Sequence, residues 1–423
     1  MEVLPAREGP ERDDEAGGIP SWVWLVVVVA VISVFLGLVI YFLLRDRSFG
    51  QATQPIHTAS APVVQKPTGP RKWYVARNKL EGIDFTSITA ALQGAGPGDT
   101  IVITDRQEYH EALSLSSQTS SRGFNSVTIV ADVGDDGKRA RLIPPRTHRP
   151  VTPLVSIENV QGLKIVGLLV DGEDAVQTTM SIQGACPGLI LENVRIEGFQ
   201  RQGIVIDGLT GTGRREVLFD RVFVRQNVPQ PAQACLQILG AACDGLQLKQ
   251  CRFQGLCEAT IRFGAPIQRF LMEQCKLSGG KGHALLWSDA IPANQRMNAT
   301  IQQNTFWDYQ TGMAIEVPVT AGDIYFTIRN NVFYQVKSLL HVDAAKTKMK
   351  PEALTGGVAG LGNVYDTQSS QPGVAGQIAK FGCKGLAFSL STSPTPPQDF
   401  LRVPAGSPLL TAGERKDPVG ATD

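Results

Sequence analysis

The chain has 423 residues, 43% of them hydrophobic, and a formal net charge of +1 at neutral pH. This length can bury a large core, while the near-zero charge gives no bulk attraction to polyanions, so we expect no nucleic-acid partner. The 43 glycines and 26 prolines favour a turn-rich β protein over a helical bundle.

Residues 1–72 predict a tail, a membrane span and a linker. An acidic tail occupies residues 1–21, and residues 22–44, WVWLVVVVAVISVFLGLVIYFLL, carry no charge. This stretch is long enough to cross a hydrocarbon layer of about 30 Å as a helix, which makes the lipid bilayer an expected partner. No small-residue cleavage site follows Leu44, so an uncleaved anchor is favoured over a signal peptide. Residues 45–72 form a Pro-rich linker, and the arginines on both sides of the span leave its orientation open.

A repeat begins beyond the linker. Its pattern is apolar, two residues, a ladder residue, one residue, apolar, as in LKQCRF at residues 248–253. The ladder positions lie 24 to 29 residues apart, at Leu168, Val194, Val222, Cys251, Cys275, Asn304 and Asn331. Such a period is typical of a solenoid. The alternation predicts strands, and the parity skip at Gln250 predicts a sharp corner that keeps apolar side chains inward on both sides.

A second alternating stretch lies between successive ladder patterns, for example ATIRFG (259–264), ALLWSD (284–289), MAIEVP (313–318) and LLHVDA (340–345). Short parallel strands stacked about 4.8 Å apart predict an all-β, right-handed parallel β-helix. We expect this domain to span residues 73–345, with a C-terminal capping segment at residues 346–423. Asn304 and Asn331 should begin an inward asparagine ladder.

In these features the chain resembles the pectate-lyase-like right-handed β-helix family, of a membrane-anchored bacterial type. FTSITAALQGAGPGDTIVI (85–103) is similar to the family's entry element, a short helix that caps the coil before a strand. GSPLLTAG (406–413) is similar to a closing segment of bacterial members, although Thr411 stands where Asp is common and DRQEY (105–109) replaces a Pro-Gly turn. The resemblance implies the fold; lyases, hydrolases, esterases and adhesins all share it.

The resemblance also implies that sugar lies across the second alternating stretch. Its side chains expected to point outward are Asp207, Gln237, Arg262, Trp287, Asp289, Glu316, His341 and Asp343. Stacking predicts a substrate-binding column in successive coils, formed by Arg262, Trp287, Glu316 and His341. In that column Trp287 would stack on a sugar ring while the charged groups bind hydroxyls or uronates. The simpler alternative is that any solenoid face must carry polar residues.

A catalytic interpretation rests on weaker candidates, namely Arg262, Asp289 and Glu316. A lyase needs a base, for which Arg262 is the candidate, and a cation such as calcium. Asp207 and Glu316 are expected too far apart to share one ion, so no metal site is predicted. Asp289 and Glu316, one coil apart, are the only pair we name for a hydrolase.

The histidines and cysteines add little. His283 and His57 have no partner at a recognisable spacing and are interpreted as incidental. Among the seven cysteines there is no CxxC spacing for zinc, and Cys251 and Cys275 are expected to stack as buried hydrophobes. The sequence therefore predicts a single-pass membrane protein whose extracytoplasmic β-helix binds polysaccharide at the cell surface. A lyase or glycosidase of the same fold is the first alternative, and a structural spacer or adhesin is the second.

Overall fold

The computed structural model describes residues 69–117, 124–146, 153–211, 215–227, 230–279, 282–288, 295–316, 324–348, 350–392 and 400–421. The expected tail at residues 1–21, the span at 22–44 and most of the linker at 45–72 lie outside these ranges. In the part of the chain that is described, no helix is both long enough and apolar enough to cross a membrane.

Each coil turns a sharp corner at the residue before the ladder position. Gln250 adopts φ 52°, a left-handed conformation that interrupts the strand and reverses its side-chain parity. The Gln250 backbone amide donates a 3.0 Å hydrogen bond to the Glu273 carbonyl of the next coil, so consecutive corners stack. The same left-handed backbone recurs at Gly167, Asn193, Arg221, Gln274, Gln303, Asn330 and Gly362. The parity skip in the sequence is therefore the corner, as predicted.

The strands before the corners form one eleven-stranded parallel sheet, here called the first sheet. Its strands are Lys72–Val75, Thr100–Ile103, Thr128–Ala131, Lys164–Val166, Ile190–Glu192, Val217–Asp220, Leu246–Lys249, Phe270–Glu273, Met297–Gln302, Ile324–Arg329 and Val358–Leu361. Each strand pairs in register with its equivalent in the next coil, for example Leu248 with Met272 and Met272 with Ile301.

The strands after the corners build the second sheet, and those that follow build the third. The second sheet contains Glu108–His110, Arg141–Ile143, Phe223–Arg225, Arg252–Gln254, Lys276–Ser278, Asn363–Asp366 and Cys383–Leu386. The third contains Leu113–Ser116, Val155–Glu158, Ala232–Leu239, Cys257–Phe263 and His283–Trp287. Long strands run through both sheets at Leu169–Ala185, Arg195–Thr210, Thr305–Ile315 and Val332–Val342, and a minor ladder joins Cys243–Asp244 to Ile267–Gln268. This is the predicted all-β parallel β-helix of the right-handed type.

The predicted ladder lies inside the solenoid. Leu168, Val194, Val222, Cys251 and Cys275 are all buried. Asn304 and Asn331 are fully buried, and Asn331 Oδ1 accepts hydrogen bonds of 3.0 Å from both the backbone amide and Nδ2 of Asn304. Asn363 extends the asparagine ladder by one further coil, because its Oδ1 accepts from Asn331 Nδ2 at 3.0 Å. The asparagine ladder is confirmed and has one more member than the sequence predicted.

A short helix closes the N-terminal end, as predicted. It spans Ile88–Gly94, and the Ser87 hydroxyl caps it by accepting from the Ala90 amide. Ile88, Ala91 and Leu92 are three and four residues apart, so they share one face of the helix, and this face is buried against the core.

The coils continue past residue 345, which corrects the predicted end of the β-helix. Val358–Leu361 pairs with the first sheet, and Asn363–Asp366 and Cys383–Leu386 extend the second. Phe381 is fully buried at the end of the core, with its ring centroid 6.5 Å from that of Phe333. The helical elements in this region are Ala344–Thr347, Pro351–Gly356, Val374–Gly376, Ala379–Phe381, Pro408–Thr411 and Glu414–Lys416.

The last segment packs along the side of the solenoid rather than across its end. Phe400, Leu401, Leu409 and Val419 form a second apolar cluster with Val332 and Val364. The Gly420 amide donates to the Asn330 carbonyl at a corner, and the Ala421 amide donates to the Thr305 hydroxyl. The expected capping role therefore falls to residues 374–381, while residues 400–421 cover a flank.

Candidate functional site

The outer face of the third sheet carries the predicted substrate-binding column, with a different register from the expected one. Arg262 pairs with Leu286, Leu286 with Ala314, and Ala314 with His341. Arg262 and His341 thus share a column but lie three coils apart, roughly 14 Å. Leu286 and Ala314 between them are buried and pack with Ala259 on this outer side. Leu286 and Ala314 therefore occupy the two positions between Arg262 and His341 where the sequence predicted Trp287 and Glu316.

Trp287 does not belong to this face, which corrects the prediction. Its side chain is only 1% exposed and points into the core. The ring stacks on Phe263 at 4.6 Å between centroids and lies 4.8 Å from Phe326. The register explains why this side chain points inward, since Trp287 pairs with the buried Phe263 on one side and with the buried Ile315 on the other. Trp287 is a core residue and cannot stack on a sugar bound outside.

Glu316 lies between Lys346 and His283. One Glu316 carboxylate oxygen accepts from Lys346 Nζ at 2.5 Å, and the other lies 3.7 Å from His283 Nε2. Burial lowers the pKa of His283, and nearby Glu316 opposes that shift. Nδ1 of His283 is buried without a hydrogen-bond partner among the described residues. The sequence offers His283 no partner, yet the structure places it beside Glu316, a predicted site residue.

Arg262 is held in place by its own neighbours. Its Nε donates to the Ser288 hydroxyl at 2.8 Å, and Nη1 lies 3.2 Å from the Glu258 carboxylate. Asp289, the proposed partner of Glu316 in a hydrolase, lies outside the described residues. Within the described ranges, no group of three or more His, Cys, Asp or Glu side chains could hold a metal ion.

A cleft of about 350 Å³ opens on the outer face of the first sheet, where the sequence predicted no site. It is lined by Gln268, Arg269, Arg296, Asn298 and Tyr325. The side chain of Tyr325 is 43% exposed, and it is one of the few large hydrophobic residues exposed to solvent in the described chain. The Arg296 guanidinium lies 5.6 Å from the centroid of that ring.

The walls of the Tyr325 cleft differ in how firmly they are held. Arg269 is fixed by Asp244, whose carboxylate accepts from its Nε and Nη2 at 2.8 Å each. Asn298 and Tyr325 are register partners in neighbouring strands. Arg296 has no carboxylate within ion-pair distance among the described residues. The cleft thus combines an exposed aromatic ring, amide groups and one guanidinium that has no acidic partner in the described ranges.

A sequence signal for this cleft exists. IYFTIR (324–329) alternates strictly, and the buried Ile324, Phe326 and Ile328 place Tyr325 outside. The resemblance places sugar on the third sheet, whereas Tyr325 lies on the first, so the predicted site residues do not include it.

No protein-family model matches the chain, and no curated protein matches it. Among solved structures, pectate lyase Pel9A is 13% identical, with a TM-score of 0.48 over 84% of this chain and 96% of that one. The PL6 family polysaccharide lyase Pedsa3628 from Pseudopedobacter saltans is 11% identical, with a TM-score of 0.28 over 79% of this chain and 97% of that one. The GH136 lacto-N-biosidase from Eubacterium ramulus is 10% identical, with a TM-score of 0.27 over 75% and 68%.

Proposed function

We propose that the β-helix binds polysaccharide and that the Tyr325 cleft is its principal contact site. The observation that supports this proposal is the solvent-exposed ring of Tyr325, which lies beside Arg296, Asn298 and Gln268 in one cleft. An exposed aromatic face packs against the C–H surface of a sugar ring. The amides of Asn298 and Gln268 can both donate to and accept from hydroxyl groups.

Arg296 gives the cleft a preference within this class of ligand. A guanidinium binds a carboxylate with two parallel hydrogen bonds, and no protein carboxylate competes for Arg296 among the described residues. The preferred ligand in this proposal is a polysaccharide that carries acidic sugars. Arg262, Glu316 and His341 on the third sheet remain a second proposed contact region, without Trp287.

The alternative of a polysaccharide lyase or glycoside hydrolase is favoured by the contact between His283 and Glu316. Burial lowers the pKa of His283, so its imidazole is neutral near pH 7 and able to accept a proton. Incubating the full chain with acidic oligosaccharides, with and without calcium, tests this alternative. New reducing ends or unsaturated products that are lost in His283→Gln would favour it.

The location of the domain is part of the proposal. We propose that residues 22–44 anchor the chain in a membrane and that the β-helix lies outside the cytoplasm, at the cell surface. The uncharged, 23-residue apolar stretch supports the anchor. The extracellular substrates implied by the resemblance to the pectate-lyase-like family support the location.

A glycan array with the full chain in detergent tests the binding proposal. Tyr325→Ala should weaken every bound glycan by about 1–3 kcal/mol, the scale of one buried side chain. Tyr325→Phe, the matched control, keeps the ring and should bind like the parent. Arg296→Gln should weaken acidic glycans selectively, and less so at high salt.

The outcomes separate the competing functions. Binding that survives in Tyr325→Ala would place the site elsewhere, and the Arg262 and His341 variants would then be compared. Absence of binding to any glycan would favour the structural spacer or adhesin. The melting temperature of each variant should match that of the parent, because these side chains lie outside the core.

A further inference from the structure

A second cleft, of about 380 Å³, lies near the N-terminal coils. It is lined by Arg106, Glu108, Asp136, Gly137, Lys138, Arg139, Arg141, Leu169 and Arg195. Arg141 and Arg195 point outward from the second sheet, on either side of Leu169 in the same column. Arg139 enters from a tight turn, closed by a 2.8 Å hydrogen bond from the Gly134 amide to the Lys138 carbonyl. The cleft therefore brings basic side chains together from separate coils.

Most of these basic groups have an acidic partner. Arg106 pairs with Asp132 at 2.9 Å, and Lys138 pairs with Asp136 at 3.2 Å. On the sheet, the remaining arginines are paired as well: Arg141 with Glu108 at 2.6 Å and Asp171 at 2.9 Å, and Arg195 with Glu197 at 2.5 Å. These cations are neutralised within the protein, so none of them by itself calls for a ligand.

Arg139 is the exception. Its Nη1 donates to the Asn193 carbonyl at 2.6 Å, and no carboxylate of the described chain lies within ion-pair distance. Its Nε is buried with no hydrogen-bond partner in the described ranges. Burial lowers the pKa of Arg139 and the neighbouring Arg195 lowers it further, while Glu197, which is paired with Arg195, opposes the shift from beyond ion-pair distance. A half-buried guanidinium beside a second cation, with no acid of its own, is costly unless something neutralises it.

We infer that this cleft is a binding site for an oxyanion, with Arg139 as its principal contact. The ligand class is a carboxylate, sulfate or phosphate group, either as a free ion or as a substituent on a saccharide. Such a group would accept charge-assisted hydrogen bonds from Arg139 and offset the repulsion between Arg139 and Arg195. The site lies on a different sheet from the Tyr325 cleft, and the inference does not depend on the proposed function.

Thermal unfolding of the full chain in detergent tests the site with sodium sulfate, sodium phosphate and sodium galacturonate as probes. Sodium chloride is adjusted to hold ionic strength constant, which removes general screening. At least one probe should raise the melting temperature saturably. Arg139→Gln should weaken that probe by about 10-fold or more, the scale of hydrogen bonds to a charged group. Arg139→Lys keeps the charge but loses the planar guanidinium, so its affinity for the probe should lie between those of the parent and Arg139→Gln.

Arg221→Gln is the matched control, because Arg221 is exposed, paired with Glu192 at 2.7 Å and outside the cleft. It should bind the probe like the parent, as should Tyr325→Ala. The inference is overturned if no probe gives a saturable shift, or if Arg139→Gln and Arg221→Gln respond alike. A response to galacturonate alone would identify the anion as a saccharide carboxylate. Neither failure would affect the Tyr325 cleft, which is measured with separate variants.

Discussion

The asparagine ladder allows a quantitative test of the fold, through Asn331→Leu. Leucine fits the position sterically, since Leu168 occupies the equivalent place in an earlier coil. The substitution removes four hydrogen bonds, two accepted by Asn331 Oδ1 from Asn304 and two donated by Asn331 Nδ2, to Ile301 and Asn363. Any loss of stability therefore reports the polar network rather than a steric clash.

The size of the loss can be worked from these contacts. Each hydrogen bond contributes about 0.5–1.5 kcal/mol net, which gives about 2–6 kcal/mol for the set. Burying the leucine side chain returns part of this, up to about 3 kcal/mol. The mid-range values, about 4 kcal/mol lost and about 2 kcal/mol returned, leave a fall in the free energy of unfolding of about 2 kcal/mol, and we expect a measured value of about 1–3 kcal/mol.

Two measurements check this expectation on the full chain. Urea unfolding followed by circular dichroism should show a lower midpoint, and hydrogen exchange should show a less protected Asn304 amide, because that amide donates directly to Asn331. Asn298→Leu, at an exposed asparagine, is the matched control and should stay within about 0.5 kcal/mol of the parent. An unchanged midpoint together with an unchanged Asn304 amide would refute the ladder as a stabilising network.

The remaining predictions concern the core and the topology. Trp287→Ala should destabilise the protein by about 3–5 kcal/mol in thermal or urea unfolding, because it empties the space between Phe263 and Phe326. Tyr325→Ala is the control and should melt like the parent, and an equally stable Trp287→Ala would mean that the indole faces solvent after all. Protease added to intact cells should remove the β-helix, and complete protection would reverse the proposed orientation.

The corner and the ladder could be predicted from the sequence because each depends on a short pattern of neighbouring residues. A left-handed residue shifts the alternation by one position within a single hexapeptide such as LKQCRF. Repetition at a nearly fixed interval then shows which positions stack.

Trp287 could not be placed in the same way. In ALLW (284–287) every residue is apolar, and all are buried, so the alternation that would assign the inward face is absent. Only the register with Phe263 and Ile315 decides which side chains point inward. Contacts such as that of His283 with Glu316 likewise join residues from different coils, and no sequence spacing records them.

The last asparagine of the ladder was missed for a steric reason. The repeat has an apolar residue three positions before each of the other ladder residues, and Gly360 stands there before Asn363. A Cβ at Gly360 would lie 2.0 Å from the Phe381 carbonyl oxygen, so only glycine fits against the segment that closes the core. Gly360 thus allows the segment around Phe381 to close the core, and it also breaks the repeat pattern by which this coil would be recognised.

The flank covered by residues 400–421 bears on the order in which the chain folds during synthesis. The Ala421 amide bonds to Thr305, a partner 116 residues earlier in the chain. Coils that contain Val332 and Val364 can stack as they leave the ribosome, but their apolar side strip stays uncovered until residues 400–421 are translated. During that interval the growing chain exposes an apolar surface that is prone to aggregation, and residues 400–421 later cover the flank of coils formed much earlier.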